Sequence, residues 1–87
     1  KPIFCTHHVY DYGTSKVVGR EQEHIKLELV DNKSNNVMNG IAFGQSEWND
    51  YIKQGNPIDI CYTLEENTFN GTTSIQLMIR DIQKSKI

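Results

Sequence analysis

No stretch of this chain approaches the ~20 consecutive apolar residues that a membrane-spanning helix needs. The opening run Lys-Pro-Ile-Phe-Cys-Thr-His-His also lacks the apolar segment of a secretory signal. Cysteine is scarce: Cys5 and Cys61 are the whole complement. Two cysteines build no disulfide framework, and the expectation is a pair of reduced thiols in a cytosolic protein. No charge sign dominates, because 9 Lys and Arg stand against 11 Asp and Glu for a net charge of −2. Small stand-alone nucleic-acid binders are usually basic. A polyanion could be held here only by a few placed cations, or by a larger protein around this module.

Catalytic patterns are missing as well. Ser, His and Asp all occur, yet nothing resembles a nucleophile elbow or an ordered triad. Cys5-Thr6-His7-His8 offers metal-type ligands without the second half-site that zinc spacing demands. Asn70-Gly71-Thr72 fits a glycosylation sequon and reads as a turn. The 87 residues make one domain with a small core, since a chain this short buries little more than ~60% of its unfolded surface. The chain starts at Lys1 without an initiator Met and reads as a piece of a longer protein.

What is present is a strong hairpin. Ile58 to Phe69 and Thr72 to Ile82 are β-type runs flanking Asn70-Gly71. Asn-Gly between apolar alternations is the strongest short-range hairpin signal, because both turn residues need φ > 0. A two-residue loop sets Phe69 opposite Thr72, so paired residue numbers sum to 141. Leu64 then faces Leu77 and Tyr62 faces Ile79. The other face carries Asp59, Cys61, Thr63 and Glu65 against Gln76, Met78 and Arg80. A slip of one residue would send the apolar set into water.

Upstream, Ile3 to Tyr12 reads as a strand, Gly13-Thr14-Ser15 as a bend or bulge, and Lys16 to Gly19 as its continuation. His24 to Val30 alternates cleanly, with Ile25, Leu27 and Leu29 on the buried side. Val37 to Phe43 is a third strand interrupted by Gly40, which marks a bulge, a bend or a close backbone approach. Ser46 to Gln54 reads as a helix with Ser46 as N-cap. Trp48, Tyr51 and Ile52 form its apolar stripe, and Gly55 and Pro57 end it. Five strands with one short helix between the third and fourth is the element order of the OB-fold, an all-β, partly open Greek-key barrel. A small α+β sandwich is the alternative. The expected core is Ile25, Leu27, Ile41, Phe43, Tyr62, Leu64, Leu77 and Ile79.

Gly19, His24-Ile25-Lys26-Leu27-x-Leu29, Ile41-Ala42-Phe43-Gly44 and the run Ile58 to Ile82 resemble the C-terminal OB domain of RecJ-type single-stranded-DNA-specific exonucleases. The most specific part is Tyr62 to Ile82, and the match spans about Val18 to Ile82. The resemblance implies a cytoplasmic bacterial parent that degrades single-stranded DNA from the 5′ end in repair and recombination. Its chemistry would lie in separate catalytic domains with an Asp-His-His motif and Mn²⁺ or Mg²⁺. This chain has no Asp-His-His, so it would be a non-catalytic module without a cofactor of its own. Its partners would be single-stranded DNA, the catalytic domains of the parent chain and single-strand-binding protein.

OB-folds bind single strands on the face of strands two and three, flanked by two loops. That places candidate contacts at Arg20 in the first loop, His24 and Lys26 on strand two, Gly40 on strand three, and Asn67, Phe69 and Asn70 near the hairpin tip. Phosphates call for cations and bases for flat rings; Phe69 is the ring nearest the tip. His24 suits strand capping better than contact. Arg80 is expected to pair with Asp59 or to face another domain, and Gln76 and Asn67 to tie down the hairpin loop. The competing function is a protein–protein adaptor.

Overall fold

The computed structural model describes residues 1–86. Six strands form one sheet: β1 (Phe4–Asp11), β2 (Lys16–Val18), β3 (His24–Val30), β4 (Met38–Ala42), β5 (Ile58–Phe69) and β6 (Thr72–Lys84). The sheet order is β1-β5-β6-β4-β3-β2, and β1 also pairs with β3, which closes the sheet into a barrel. β1 and β2 are the two halves of the expected first strand, broken around Gly13. The break is stitched by Ser15, a buried serine whose hydroxyl accepts the Glu28 N–H at 2.8 Å and donates to the Glu28 carbonyl at 3.3 Å. Among the described residues no helix is long and apolar enough to cross a membrane.

The hairpin adopts the expected register from Phe69↔Thr72 to Tyr62↔Ile79. Asn70 and Gly71 take φ values of 52° and 78°, as the tight turn requires. Beyond Tyr62 the register shifts, and Cys61 pairs with Asp81. This bulge leaves Arg80 and Asp81 both in solvent and brings Ile82 inside with Ile79; the two isoleucines are 4% and 6% exposed. An unbroken alternation would have turned Ile82 outward.

The core consists of Val9, Ile25, Leu27, Leu29, Ala42, Ile52, Ile58, Ile60, Leu77, Ile79 and Ile82. Three expected core residues differ. Ile41 and Phe43 point out of the barrel, and Phe43 is 58% exposed. The reason lies at Gly40. This residue pairs with Leu27 on one side and with Leu77 on the other, the latter in a parallel β4–β6 ladder. A Cβ at Gly40 would come within 3.1 Å of the Leu77 Cβ and carbonyl oxygen. The inner row of β4 must therefore be small at the closure, and its large side chains take the outer row. Leu64, paired with Leu77, is exposed because the hairpin arms outrun the barrel from that point. Tyr62 is half-buried; its hydroxyl shares a 2.9 Å hydrogen bond with Thr6 Oγ1.

The cysteines are also a correction. β1 and β5 pair antiparallel with Cys5 opposite Cys61, Cα–Cα 4.1 Å, and their sulfurs are bonded to each other. Direct opposition on neighbouring strands brings together two thiols 56 residues apart in sequence. At the barrel end, Ser46–Trp48 is a 3₁₀ turn leading into α1 (Asn49–Lys53). Ser46 is not the N-cap: it lies inside the 3₁₀ turn, and its N–H donates to the Glu23 carbonyl at 3.3 Å. Ile52 is buried as the plug, with Trp48 and Tyr51 packed against the core.

Candidate nucleic-acid interface

The outer side of the barrel carries a row of side chains in continuous cross-strand register. Lys16 on β2 pairs with Lys26 on β3, Lys26 with Ile41 on β4, Ile41 with Met78 on β6, and Met78 with Thr63 on β5. The row therefore starts with two adjacent cations and continues over half-buried Ile41 and Met78 to the buried Thr63. Among the described residues neither lysine has an ion-pair partner. Along β3 the next outward residue is His24, and beside it stands Phe43, continuing the outward row of β4 past its last paired residue. Their rings meet edge to face with centroids 5.0 Å apart.

His24 is held rather than free. Its Nδ1 accepts the Gly44 N–H at 2.8 Å, which puts the ring proton on Nε2, and Nε2 lies 3.5 Å from Glu23 Oε1. The ring thus joins the end of β3 to the loop after β4 and fixes the edge of Phe43. Gly19, at φ 103°, lets the β2–β3 loop close over this pair, since a Cβ there would collide with the Glu23 carboxylate and sit 3.0 Å from His24 Cδ2. Arg20 lies exposed in the same loop, whose turn is closed by the Gln22 N–H on the Gly19 carbonyl at 3.2 Å.

The remaining candidates sit on the hairpin. Phe69 is 78% exposed and shares its face of β5 with Thr63 and Glu65 by strand alternation. Asn67 donates through Nδ2 to Gln76 Oε1 at 3.1 Å, so these two amides tie the arms to each other rather than to the loop backbone. Asn70 occupies the turn. The structure thus places His24 and Lys26 on the barrel face, Arg20 at its edge, and Asn67, Phe69 and Asn70 out on the tip. Gly40 is buried in the closure and is not on the face.

Sequence reading missed Phe43, Ile41 and Lys16 as members of this face. The alternation of Met38, Gly40 and Ala42 against Ile41 and Phe43 was the available signal. Arg80 does not pair with Asp59. Asp59 is engaged by the His8 N–H at 2.9 Å and by His7 Nδ1 at 3.2 Å, and the His8 amide bond is the main cause that holds its carboxyl below the ordinary range. Arg80 instead stands exposed on the bulge and lines a depression of about 290 Å³ with Phe43, Gln45, Thr63, Glu65 and Met78. His7 and His8 sit in the bulge between Thr6 and Val9. Among the described residues no group of three or more His, Cys, Asp or Glu is arranged to hold a metal ion.

Three comparisons bear on this geometry. The family model described as the RecJ OB domain matches residues 1–81. A crystal structure of the mitochondrial single-stranded DNA binding protein Rim1 of S. cerevisiae shares the fold, with a TM-score of 0.54 at 12% identity over 95% of this chain and 93% of that one. No curated protein matches the chain in sequence.

Proposed function

Since the chain belongs to the RecJ OB domain family, we propose that it is a non-catalytic module that binds single-stranded DNA and positions it for a RecJ-like 5′-to-3′ exonuclease of repair and recombination. The observation that carries this reading is the outer row of β2, β3 and β4: two adjacent lysines, without ion-pair partners among the described residues, beside an exposed ring on the face that OB-folds use for single strands. The lysines contact phosphates, and Phe43 offers a π-face to a base of any kind. The fold shared with a mitochondrial single-stranded DNA binding protein supports the same reading. Metal-dependent cleavage belongs to the catalytic domains of the parent, where Mn²⁺ or Mg²⁺ would sit.

The test is a titration of fluorescent oligo-dT at low salt with this chain, paired with deletion of the domain from the parent enzyme. Binding by the chain and a loss of affinity or 5′-end activity on deletion are the expected results. Unchanged affinity and activity would overturn the proposal. An adaptor role has one observation in its favour: Leu64 and Ile75 on the opposite face of the hairpin and Phe4, paired with Tyr62 on β1, are 42%, 52% and 43% exposed. A protein partner recovered through that strip, with no DNA effect, would favour this second reading.

A further inference from the structure

The depression beside Phe43 contains a feature that phosphate binding does not explain. It is lined by an acidic residue, Glu65, and a basic one, Arg80, together with Phe43, Met78, Gln45 and the buried Thr63. A surface meant only to hold a polyanion gains nothing from a carboxylate next to it. A surface meant to read a base edge does, because bases present both donors and acceptors.

We propose that this depression is a pocket for a single base of the bound strand, and that it prefers guanine; the inference rests on the single-strand-binding reading above. The base stacks on Phe43 from one side and meets Met78 on the other. Guanine presents two adjacent donors, N1–H and the N2 amino group, which suit the two oxygens of one carboxylate. It also presents two adjacent acceptors, O6 and N7, which suit the fork of an arginine. No other DNA base offers both pairs. Glu65 and Arg80 stand on neighbouring strands of the same hairpin, Glu65 paired with Gln76 and Arg80 released by the bulge. The bulge leaves Arg80 without a cross-strand partner, and alternation keeps it on the side of Met78, where it lines the pocket. Glu65 is held by Lys1 Nζ at 3.0 Å, through Oε1; this orients the carboxylate and offsets its repulsion of the strand.

The experiment measures anisotropy of labelled oligo-dT in which one central position is dT, dA, dC, dG or deoxyinosine, with the wild-type chain, Glu65→Gln and Arg80→Met. The dG oligonucleotide should bind about tenfold tighter than the other natural ones. Deoxyinosine, which lacks the N2 amino group, should lose part of that advantage. Glu65→Gln should abolish the preference among the bases. Both substitutions are at solvent-accessible positions, and a circular dichroism spectrum matching the wild type confirms that the barrel is retained. Equal binding of all bases, a preference for a base other than guanine, or a preference that survives Glu65→Gln overturns the pocket and leaves single-strand binding standing. No binding of any oligonucleotide overturns the functional reading and the pocket with it.

Discussion

Phe43 is the side chain whose removal separates a DNA-binding face from a merely exposed one. Its ring is 58% exposed and touches His24 only edge-on. Phe43→Leu keeps an apolar side chain and deletes the π-face. Because most of the ring is already in water, the stability loss falls at the low end of large-to-small substitutions, about 1 kcal/mol. Binding should respond more strongly. A base stacked on an aromatic ring contributes ~1–3 kcal/mol, which is roughly 5- to 150-fold in Kd. Phe69→Leu supplies an internal comparison. Phe69 lies on the same face as Thr63 but three alternations further along β5, roughly 20 Å away at the strand rise. Its ring can add to affinity only when the strand reaches the hairpin tip. OB-folds occupy ~4–16 nucleotides. Phe69→Leu should therefore weaken binding of an oligo-dT near the upper end of that range and leave one near the lower end unaffected. Phe43→Leu should weaken both. The assay is fluorescence anisotropy at fixed low salt, with thermal unfolding by circular dichroism on the same samples. An unchanged Kd for Phe43→Leu at both lengths, in a chain that melts like the wild type, would refute the assignment of this face to bases.

Replacing Lys16 and Lys26 together by Ala should weaken binding of all sequences alike and make the plot of log Kd against log salt shallower by about 0.7 for each phosphate that is no longer neutralised; an unaltered slope would remove them from the interface. Gly40→Ala puts a methyl group 3.1 Å from the Leu77 backbone and side chain, where neither can retreat without opening the β4–β6 closure. Overpacking of this kind costs ~1–3 kcal/mol, and a urea midpoint equal to the wild type would contradict it. Burial opposes the Asp11 charge, but hydrogen bonds from Ser15, Lys53 and Gly13 outweigh it and hold the carboxyl below its ordinary value. A depressed carboxyl adds stability above its unfolded pKa, roughly 4, and loses it as pH falls through the folded one. Asp11→Asn should therefore narrow the stability difference between neutral and strongly acidic solution, measured by urea unfolding, and an equal difference would refute the assignment. Reduction of the Cys5–Cys61 bond, which spans 56 residues, should cost roughly 4 kcal/mol by chain entropy; melting curves that coincide with and without reductant would count against it.

Much of the barrel can be read from local patterns. Asn70-Gly71 specifies a turn, and turn geometry propagates register along the hairpin as far as Tyr62. The alternation of Ile25, Leu27 and Leu29 names the buried side of β3 without help from tertiary contacts. The misreadings share a cause: each depends on a neighbour distant in sequence. Ile41 and Phe43 look like core because they are large and apolar. Only the parallel approach of β6 to Gly40 shows that the inner row there must be small. Leu64 looks buried because its partner Leu77 is, yet the barrel ends between them and the tip. Cys5 meets Cys61 through the β1–β5 register, which carries its own irregularity between Thr6 and Val9. Arg80 faces Cys61 in an unbroken hairpin count, and the bulge that leaves it unpaired exists because Ile82 must be buried. The candidate site was half legible for the same reason. Lys26 and His24 belong to a clean alternation, whereas the ring beside them belongs to the strand whose sidedness is decided at the closure.

The net charge of −2 does not by itself oppose a grip on a polyanion, because several of the acids are engaged locally. Asp11 is paired with Lys53 at 3.0 Å, Asp59 with the His7–His8 bulge, and Glu65 with Lys1. Glu47 and Asp50 lie at the plug helix, around a separate cavity of about 410 Å³ with Trp48, Tyr51, Gln54 and Lys84. Lys16 and Lys26 are left facing outward on β2 and β3. Glu28 follows Lys26 on the outward side of β3 and Glu65 lines the depression beside Phe43, so at ~0.1 M salt, where exposed charges are screened beyond about 10 Å, a strand on that face meets local acids as well as local cations. Binding by this chain alone should consequently be weak and steeply salt-dependent. Within the proposed parent that weakness is no obstacle. A strand already engaged by the catalytic domains meets the barrel at an effective concentration in the millimolar range for a short linker. A module that must release the strand at each step is better served by several weak contacts than by one tight one.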